Sequence, residues 1–280
     1  MNNKRLLALT SSLLFGLAAA HAAPSDQGPW SLSAGFDYSS GKYGLNTTTD
    51  IWSVPLTLGY SGDRWRFRLT VPYIDVSGSS DVIPGIGRVD NGNPLSRGRS
   101  NGRGGANAVI VNGTVVTTGS ASGLGDVTAS AGYEFLQSAD RSFGMGLTGL
   151  VKFGTADADK GLGTGKNDYG VALDIHKSYD SWTTYGSVGW TDYGNSSYIQ
   201  LKNGFDATIG AGYHVSSGDT VGASYLYHEK IAVGGGPQSE LTAYWNHRLT
   251  ETARLQLYVL GGFANGSPDY GAGASVRYLF

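Results

Sequence analysis

The sequence ends in Y-G-A-G-A-S-V-R-Y-L-F, residues 270–280, and this stretch decides the fold. In an extended strand alternate residues face opposite sides, because the side-chain period of a strand is two. One side is apolar with aromatic ends: Tyr270, Ala272, Ala274, Val276, Tyr278 and Phe280. The other is mostly small or charged: Gly271, Gly273, Ser275, Arg277 and Leu279. Such a segment of about ten residues predicts either an edge strand of a soluble sheet or one strand of a transmembrane β-barrel.

Tyr278 and Phe280 lie two positions apart at the end of this strand. A terminal aromatic residue that follows another at a two-residue step resembles the signal that outer-membrane barrels present to their assembly machinery. We therefore expect the barrel assembly machinery and outer-membrane lipid to be partners of this protein.

Residues 1–22 have the three parts of a secretory signal peptide. Lys4 and Arg5 form a positive n-region, residues 6–20 are largely apolar, and Ala20-His21-Ala22 is an A-x-A cleavage site. We expect this segment to be cleaved, and residues 23–280 to form a single barrel in the outer membrane of a Gram-negative cell.

The composition favours alternating strands over an ordinary soluble domain. Glycine accounts for 44 of 280 residues, tyrosine for 17, and charged residues for only 15%, against about 25% in typical soluble domains. After the signal peptide, no apolar run reaches the 18 residues that indicate a membrane helix. The formal net charge of -2 gives no support for nucleic-acid binding.

Alternation repeats along the chain and predicts about twelve strands. The predicted strands are 30–38, 51–60, 64–73, 124–135, 143–153, 169–179, 182–190, 205–213, 221–227, 241–245, 255–263 and 270–280. Their number is even, as single-chain bacterial barrels require, and their connections alternate between short and long. The sequence therefore predicts an all-β, antiparallel, up-and-down transmembrane β-barrel of about 12 strands, with short periplasmic turns and long extracellular loops.

Two further features bear on the strands. Outward aromatic residues cluster at both strand ends, which is typical of the interfacial girdles of a membrane barrel. Pro55 and Pro72 lie inside predicted strands. Because proline cannot donate a hydrogen bond to a sheet, we expect bulges or early strand ends at both positions.

The longest connection, the extracellular loop 74–122, is rich in Gly, Asn, Ser and Arg. Within it, residues 109–116 have the sequence V-I-V-N-G-T-V-V, which predicts a small hairpin with an Asn-Gly turn. This hairpin is too apolar for a solvated loop. We therefore expect the hairpin to fold against the barrel, and the long loop to plug or gate the lumen.

Inward-facing charged and histidine side chains are the candidates for a solute path. They are Arg64, Arg66, Arg68, Glu134, Lys152, Asp174, His176, Asp206, His214 and Arg277, with Arg254 and Asp37 as further members. One interpretation is an ion-pair network that fills and rigidifies a narrow lumen. The other is a charged constriction that orients solutes.

Catalytic and metal sites have little support in the sequence. His176, His214 and His228 lie on different predicted strands, and no serine is tied to them in the pattern that a barrel hydrolase needs. Residues 157–161, D-A-D-K-G, resemble the start of a calcium loop but lack its later ligands. We therefore expect no catalytic residue, metal or cofactor.

Three segments carry a family resemblance: Val71-Pro72-Tyr73, S-G-L-G-D at 122–126, and G-T-A-D-A-D-K-G-L-G-T-G-K-N-D at 154–168. In order and spacing they resemble the outer-membrane barrels of the MetA-pathway of phenol degradation family, over almost the whole chain after the signal peptide except residues 88–108. The resemblance implies a barrel linked to the uptake of small, often aromatic, hydrophobic compounds, and it supplies no catalytic residues.

Together these features predict an outer-membrane channel or transporter, porin-like in architecture, for small organic and especially hydrophobic or aromatic solutes. Two alternatives stay open at this point. The first is a closed structural or surface-binding barrel, and the second is an outer-membrane hydrolase.

Overall fold

The computed structural model describes residues 28–98, 107–111 and 114–280, with side chains outside 99–116. The predicted signal peptide and the Asn112-Gly113 turn lie outside these residues. In chain order the elements are β1 (Trp30–Gly41), β2 (Thr49–Ser61), β3 (Trp65–Ser79), β4 (Val82–Ile83), β5 (Gly87–Arg88), β6 (Asn107–Val111), β7 (Thr114–Leu124), β8 (Val127–Gln137), β9 (Phe143–Phe153), a 3-10 helix (Ala158–Lys160), β10 (Asp168–Tyr179), β11 (Trp182–Asp192), β12 (Gly204–His214), β13 (Asp219–His228), β14 (Gln238–Arg248), β15 (Ala253–Gly262) and β16 (Tyr270–Leu279).

The described strands close into an antiparallel barrel. Each wall strand pairs with its neighbours in sequence, and β1 pairs with both β2 and β16. β8 and β7 occupy one position, because β3 pairs with β8 over its periplasmic half and with β7 over its outer half. The wall therefore has twelve strand positions, which confirms the predicted fold class.

The barrel wall is apolar on the outside and polar on the inside. At mid-strand, Leu69, Leu147 and Ile209 are 42, 50 and 68% exposed, whereas the inward Asp174 is 1% exposed. A surface of this kind is suited to lipid rather than to water. In the described part of the chain, no helix combines the length and apolar character that a membrane-spanning helix requires.

Aromatic side chains gather at both rims of this apolar surface, as predicted. Trp65 and Tyr133 lie 4.7 Å apart between ring centroids at the periplasmic rim. Tyr38 and Trp52 lie 4.2 Å apart at the outer rim. Rings at both ends of the apolar band correspond to the two interfaces of a bilayer.

The expectation of early strand ends at the two prolines was wrong. Both β2 and β3 continue through them, and Pro55 lies directly opposite Pro72 in the β2–β3 pair. The expected bulge does occur beside Pro72, where β3 changes partner from β8 to β7 and the pairing shifts by one residue. There the carbonyl of Pro72 accepts a hydrogen bond of 2.9 Å from the amide of Gly125.

The segment 74–122 is more ordered than the sequence suggested. β3 continues to Ser79, and β7 runs beside it from Thr118 to Leu124. The predicted hairpin forms, with Val109 opposite Val116 in the β6–β7 pair. It prolongs the β3–β7 ribbon beyond Ser79, where β3 ends.

Replacing Leu173 with arginine tests the orientation of the wall. Leu173 faces outward at the middle of β10, where an arginine in a bilayer costs about 2–4 kcal/mol. The matched control is Tyr179→Arg at the periplasmic end of the same strand, which should cost about 0–1 kcal/mol. The measurement is the free energy of unfolding by urea in phospholipid vesicles. Equal costs at the two positions would contradict the assignment.

Candidate functional site

Residues 80–98, here called the cap, fold across the outer mouth of the barrel. At the tip of its β4–β5 ribbon, Ile83-Pro84-Gly85-Ile86 forms a turn with the amide of Ile86 bonded to the carbonyl of Ile83 at 3.1 Å. Proline at the second position and Gly85 at the third, with φ of 80°, are the residues that a type II turn needs. The local sequence thus determines the shape of the tip.

The cap reaches all five other long loops of the barrel. Hydrogen bonds join Arg88 to the carbonyl of Gly44 (2.9 Å), Asn93 to the carbonyl of Ala158 (3.1 Å), Gly92 to the carbonyl of Tyr198 (2.9 Å) and Gln238 to the carbonyl of Ile86 (3.2 Å). Gly87 packs against the backbone of Gly266, where a Cβ atom would collide. Contacts on every side of the mouth place the cap across the opening.

Two apolar clusters hold the cap in place. In the first, Ile83, Ile86 and Val89 of the cap pack with Tyr193, Ile199, Leu201, Ile231 and Ala232. In the second, Val82 packs with Tyr43, Ile51, Ile74, Val76, Ala156 and Leu162. Ile51, Ile74 and Val76 belong to the extended outer parts of β2 and β3. The outer part of the barrel interior therefore has an apolar side at β2 and β3, next to buried polar residues such as Asp168 and Glu240.

Arg97 anchors the end of the cap. Its buried guanidinium donates to the carbonyls of Gly161 (2.6 Å), Ser79 (2.5 Å) and Val82. Burial lowers the pKa of Arg97 to about 10, which leaves the side chain charged at neutral pH. A buried charge bonded to three carbonyls links the cap to β3 and to the loop 154–167.

Below the cap, three tyrosines point into the barrel interior: Tyr185 on β11, Tyr244 on β14 and Tyr258 on β15. They are here called the tyrosine belt. All three are buried, and Leu260 packs against them. The Tyr185 hydroxyl lies 3.4 Å from that of Tyr244, and the Tyr258 hydroxyl donates to Asp37 at 2.7 Å. The belt is an aromatic surface with polar edges inside the barrel.

Each ring of the belt lies against a glycine on the neighbouring strand. The pairs are Tyr185 with Gly210, Tyr244 with Gly222, and Tyr258 with Gly273. A Cβ atom at any of these glycines would collide with the facing ring. The glycines therefore make room for aromatic rings inside a narrow barrel.

The tyrosine belt was missed among the sequence candidates, although a signal for it exists. Each tyrosine falls on the inward phase of its strand, where neighbouring inward residues are small or polar, as Thr183 and Ser187 are around Tyr185. An aromatic residue on the inward phase, opposite a glycine in the adjacent strand, is the pattern to look for. Recognising it requires the strand register, which the tertiary structure supplies.

Some predicted lumen charges form ion pairs. Arg66 bonds to Glu134 at 3.0 Å, and His176 lies beside Glu134, since both side chains contact Gly144. Asp174 accepts a hydrogen bond of 2.7 Å from Thr148. These contacts link β3, β8, β9 and β10 around one side of the lumen.

Lys152 is the meeting point of two of the sequence segments that carry the family resemblance. Its ammonium group bonds to Asp126 at 2.9 Å and to Asp168 at 3.0 Å. Asp126 closes the segment 122–126, and Asp168 closes the segment 154–168. Asp126 also accepts from the amide of Ala156 at 2.9 Å. The ion pairs therefore join β9 to β10 and to the start of β8, and the bond from Ala156 ties the outer loop 154–167 to them.

The acidic start of that loop has structural partners. Asp157 caps the 3-10 helix by accepting from the amides of Asp159 and Lys160. The Asp159 carboxylate accepts from Asn93 of the cap at 3.1 Å. Across the described residues, no group of three or more His, Cys, Asp or Glu side chains is arranged to hold a metal ion.

The remaining candidates are spread over the barrel. Arg64 is exposed at the periplasmic end and lies 3.5 Å from the carbonyl of Phe135. His214 pairs with Thr220 at 3.1 Å near the periplasmic turn, whereas Nε2 of His228 lies 2.8 Å from the Tyr193 hydroxyl near the cap. Asp206 is buried on β12 opposite Gly189. The three candidate histidines are therefore not brought together.

Arg68, Arg254 and Arg277 lie toward the periplasmic end of the lumen. Arg277 is 7% exposed, and its Nε donates to the Ser33 hydroxyl at 3.3 Å. Arg254 donates to the carbonyl of Thr250 at 2.8 Å. The lumen thus has ion pairs on the β8–β10 side and a concentration of positive charge on the β15, β16 and β3 side.

Comparison with known proteins agrees with this architecture. The sequence profile of the MetA-pathway of phenol degradation family matches residues 23–280. An outer membrane channel from Pseudomonas putida F1 is similar in fold, with a TM-score of 0.64, 15% identity, and coverage of 94% of this chain and 98% of that one. The NanC porin has a TM-score of 0.53 and 10% identity, over 89% of this chain and 100% of that one. No curated protein sequence matches the chain significantly.

Proposed function

This chain belongs to the MetA-pathway of phenol degradation family, and we propose that it is an outer-membrane channel for small organic solutes, especially aromatic ones. The observation that carries the proposal is the tyrosine belt inside a barrel whose outer face is apolar. Flat, partly polar surfaces of this kind favour aromatic guests through offset or edge-to-face contacts.

The order of surfaces along the barrel suits such a solute. At the outer end, Ile51, Ile74 and Val76 on the wall form an apolar cluster with Val82 of the cap. The tyrosine belt follows, and the arginines lie closest to the periplasm. A hydrophobic molecule would thus first exchange water for apolar contacts and then move towards polar groups at the exit.

Passage requires the cap to move, because its contacts span the outer mouth. The closed barrel with a structural or surface-binding role is the competing function, and the same cap supports it. A hydrolase gains no support from the geometry, since His176, His214 and His228 lie apart. Whether the cap moves therefore distinguishes the channel from the closed barrel.

Localisation is part of the proposal. Residues 1–22 would direct export and be removed, Tyr278 and Phe280 would present the strand to the barrel assembly machinery, and outer-membrane lipid would surround the apolar wall. The intact mass of protein isolated from outer membranes should correspond to residues 23–280. A mass that includes residues 1–22 would contradict cleavage.

Replacing Arg97 with glutamine should open the barrel. The substitution removes the charge that binds three carbonyls of the cap anchor, and the measurement is single-channel conductance in a planar bilayer. We expect rare openings in the unaltered protein and at least a tenfold higher open probability in the variant. The control is Arg141→Gln, which removes an ion pair with Asp63 at the opposite, periplasmic rim and should leave conductance unchanged. Silence in all three proteins would favour the closed barrel.

Phenol should block the current of the Arg97→Gln variant if the belt binds aromatic rings. Adding Tyr244→Ser should weaken this block, because one ring of the belt is lost opposite Gly222. We expect the half-blocking concentration of phenol to rise at least threefold, with cyclohexanol as the non-aromatic control. If the block by phenol were unchanged, the tyrosine belt would not be the place where phenol binds.

A further inference from the structure

The arginines near the periplasmic end of the lumen are placed so that their positive charges repel one another. Arg254 and Arg277 are direct cross-strand partners in the β15–β16 pair, and both face inward. Like charges in directly opposed positions destabilise a sheet. If these side chains only filled the lumen, a neutral or negatively charged residue would be expected at one of the two positions.

Arg68 adds a third positive charge to the pair. It faces inward on β3, and it and Arg254 both repel the charge of Arg277. The strands between β3 and β16 carry small inward residues at this level, namely Ser31 and Ser33 on β1 and Gly59 on β2. At these positions β1 and β2 therefore present no large or charged side chain to the arginines.

Neighbouring carboxylates are committed elsewhere. Glu134 pairs with Arg66 at 3.0 Å, and Asp37 accepts from Tyr258 at 2.7 Å. Glu251 attracts Arg254 but lies in the exposed periplasmic turn, where it is 3.8 Å from Arg248.

The arginines themselves bond only to neutral groups. Arg277 donates to a hydroxyl and Arg254 to backbone carbonyls. Arg68 makes no hydrogen bond or ion pair with the part of the chain that the structure describes. Arg68 and Arg277 thus face the lumen without a carboxylate partner among the described residues. Arg254, whose guanidinium lies on the backbone of the periplasmic turn, adds its charge from the position opposite Arg277.

We propose that Arg68, Arg254 and Arg277 form a binding site for the carboxylate of a small aromatic acid. Guanidinium groups match a carboxylate with paired N–H donors, which favours this anion over a neutral hydroxyl. The tyrosine belt supplies the aromatic preference, because Tyr258 lies four residues from Arg254 along β15, a rise of about 13 Å between Cα atoms. The belt thus lies on the outer side of the arginines, further along the same strand.

This site gives the proposed channel a substrate class, so its role in transport rests on that function. Binding itself requires no conduction. The site also accounts for the unfavourable cross-strand pair, since a bound anion compensates the repulsion. Without the anion, the three charges lower the stability of the barrel.

The test is equilibrium binding of 4-fluorobenzoate and of the neutral 4-fluorobenzamide to the mature protein refolded in detergent. Binding is monitored by ¹⁹F NMR. We expect the benzoate to bind at least tenfold more tightly than the benzamide. Arg277→Gln should abolish this preference, and Arg277→Lys should restore part of it. Arg141→Gln, in a periplasmic turn, should leave it intact.

Stability separates a binding role from a structural one. Because Arg277→Gln removes a repulsive charge, the urea midpoint in the absence of ligand should stay equal or rise. A fall in the midpoint, or equal affinity for the two probes, would overturn the proposal. Displacement of the benzoate by an equal concentration of inorganic phosphate would overturn the organic-acid assignment. If the protein showed no conductance but still bound the benzoate more tightly, the result would contradict the channel function and support the binding site.

Discussion

The pairing of β1 with β16 is the constraint on which the rest of the structure depends. Its register runs from Ser31 opposite Leu279 to Ser40 opposite Tyr270. In a bilayer no water is available for an unpaired strand edge, so a membrane sheet has to close on itself. Closure then gives every wall residue an inside and an outside, and the apolar outer face and polar lumen follow from it.

The interior of this barrel, which has twelve strand positions, is lined by three layers of side chains. The outer layer is the cap with its apolar clusters, the middle layer is the tyrosine belt, and the layer nearest the periplasm is polar and positive. Glycine is the enabling residue in the middle layer, since Gly210, Gly222 and Gly273 each face a ring that a larger residue would displace. These three glycines thus have a packing role within the lumen.

The lumen charges divide into two groups with different physical roles. Arg66 with Glu134, and Lys152 with Asp126 and Asp168, are matched pairs that tie strands and the loop 154–167 together. The arginines on β3, β15 and β16 are unmatched and oppose one another. We propose that these two groups correspond to the two interpretations of the inward charges: the matched pairs stabilise the barrel, and the unmatched arginines bind a solute.

The sequence by itself determined the strands and their faces, because a period of two is a local property that twelve segments repeat. Pro84 and Gly85 in the sequence also determine the turn at the tip of the cap. That this turn belongs to a cap was recognised only from the structure. Tertiary structure alone decided that residues 80–98 cross the mouth while β6 pairs with β7 beyond the end of β3. It also decided that tyrosines lie over glycines and that Arg254 opposes Arg277. These features depend on cross-strand register and on contacts between distant loops, and no local pattern in the chain encodes either.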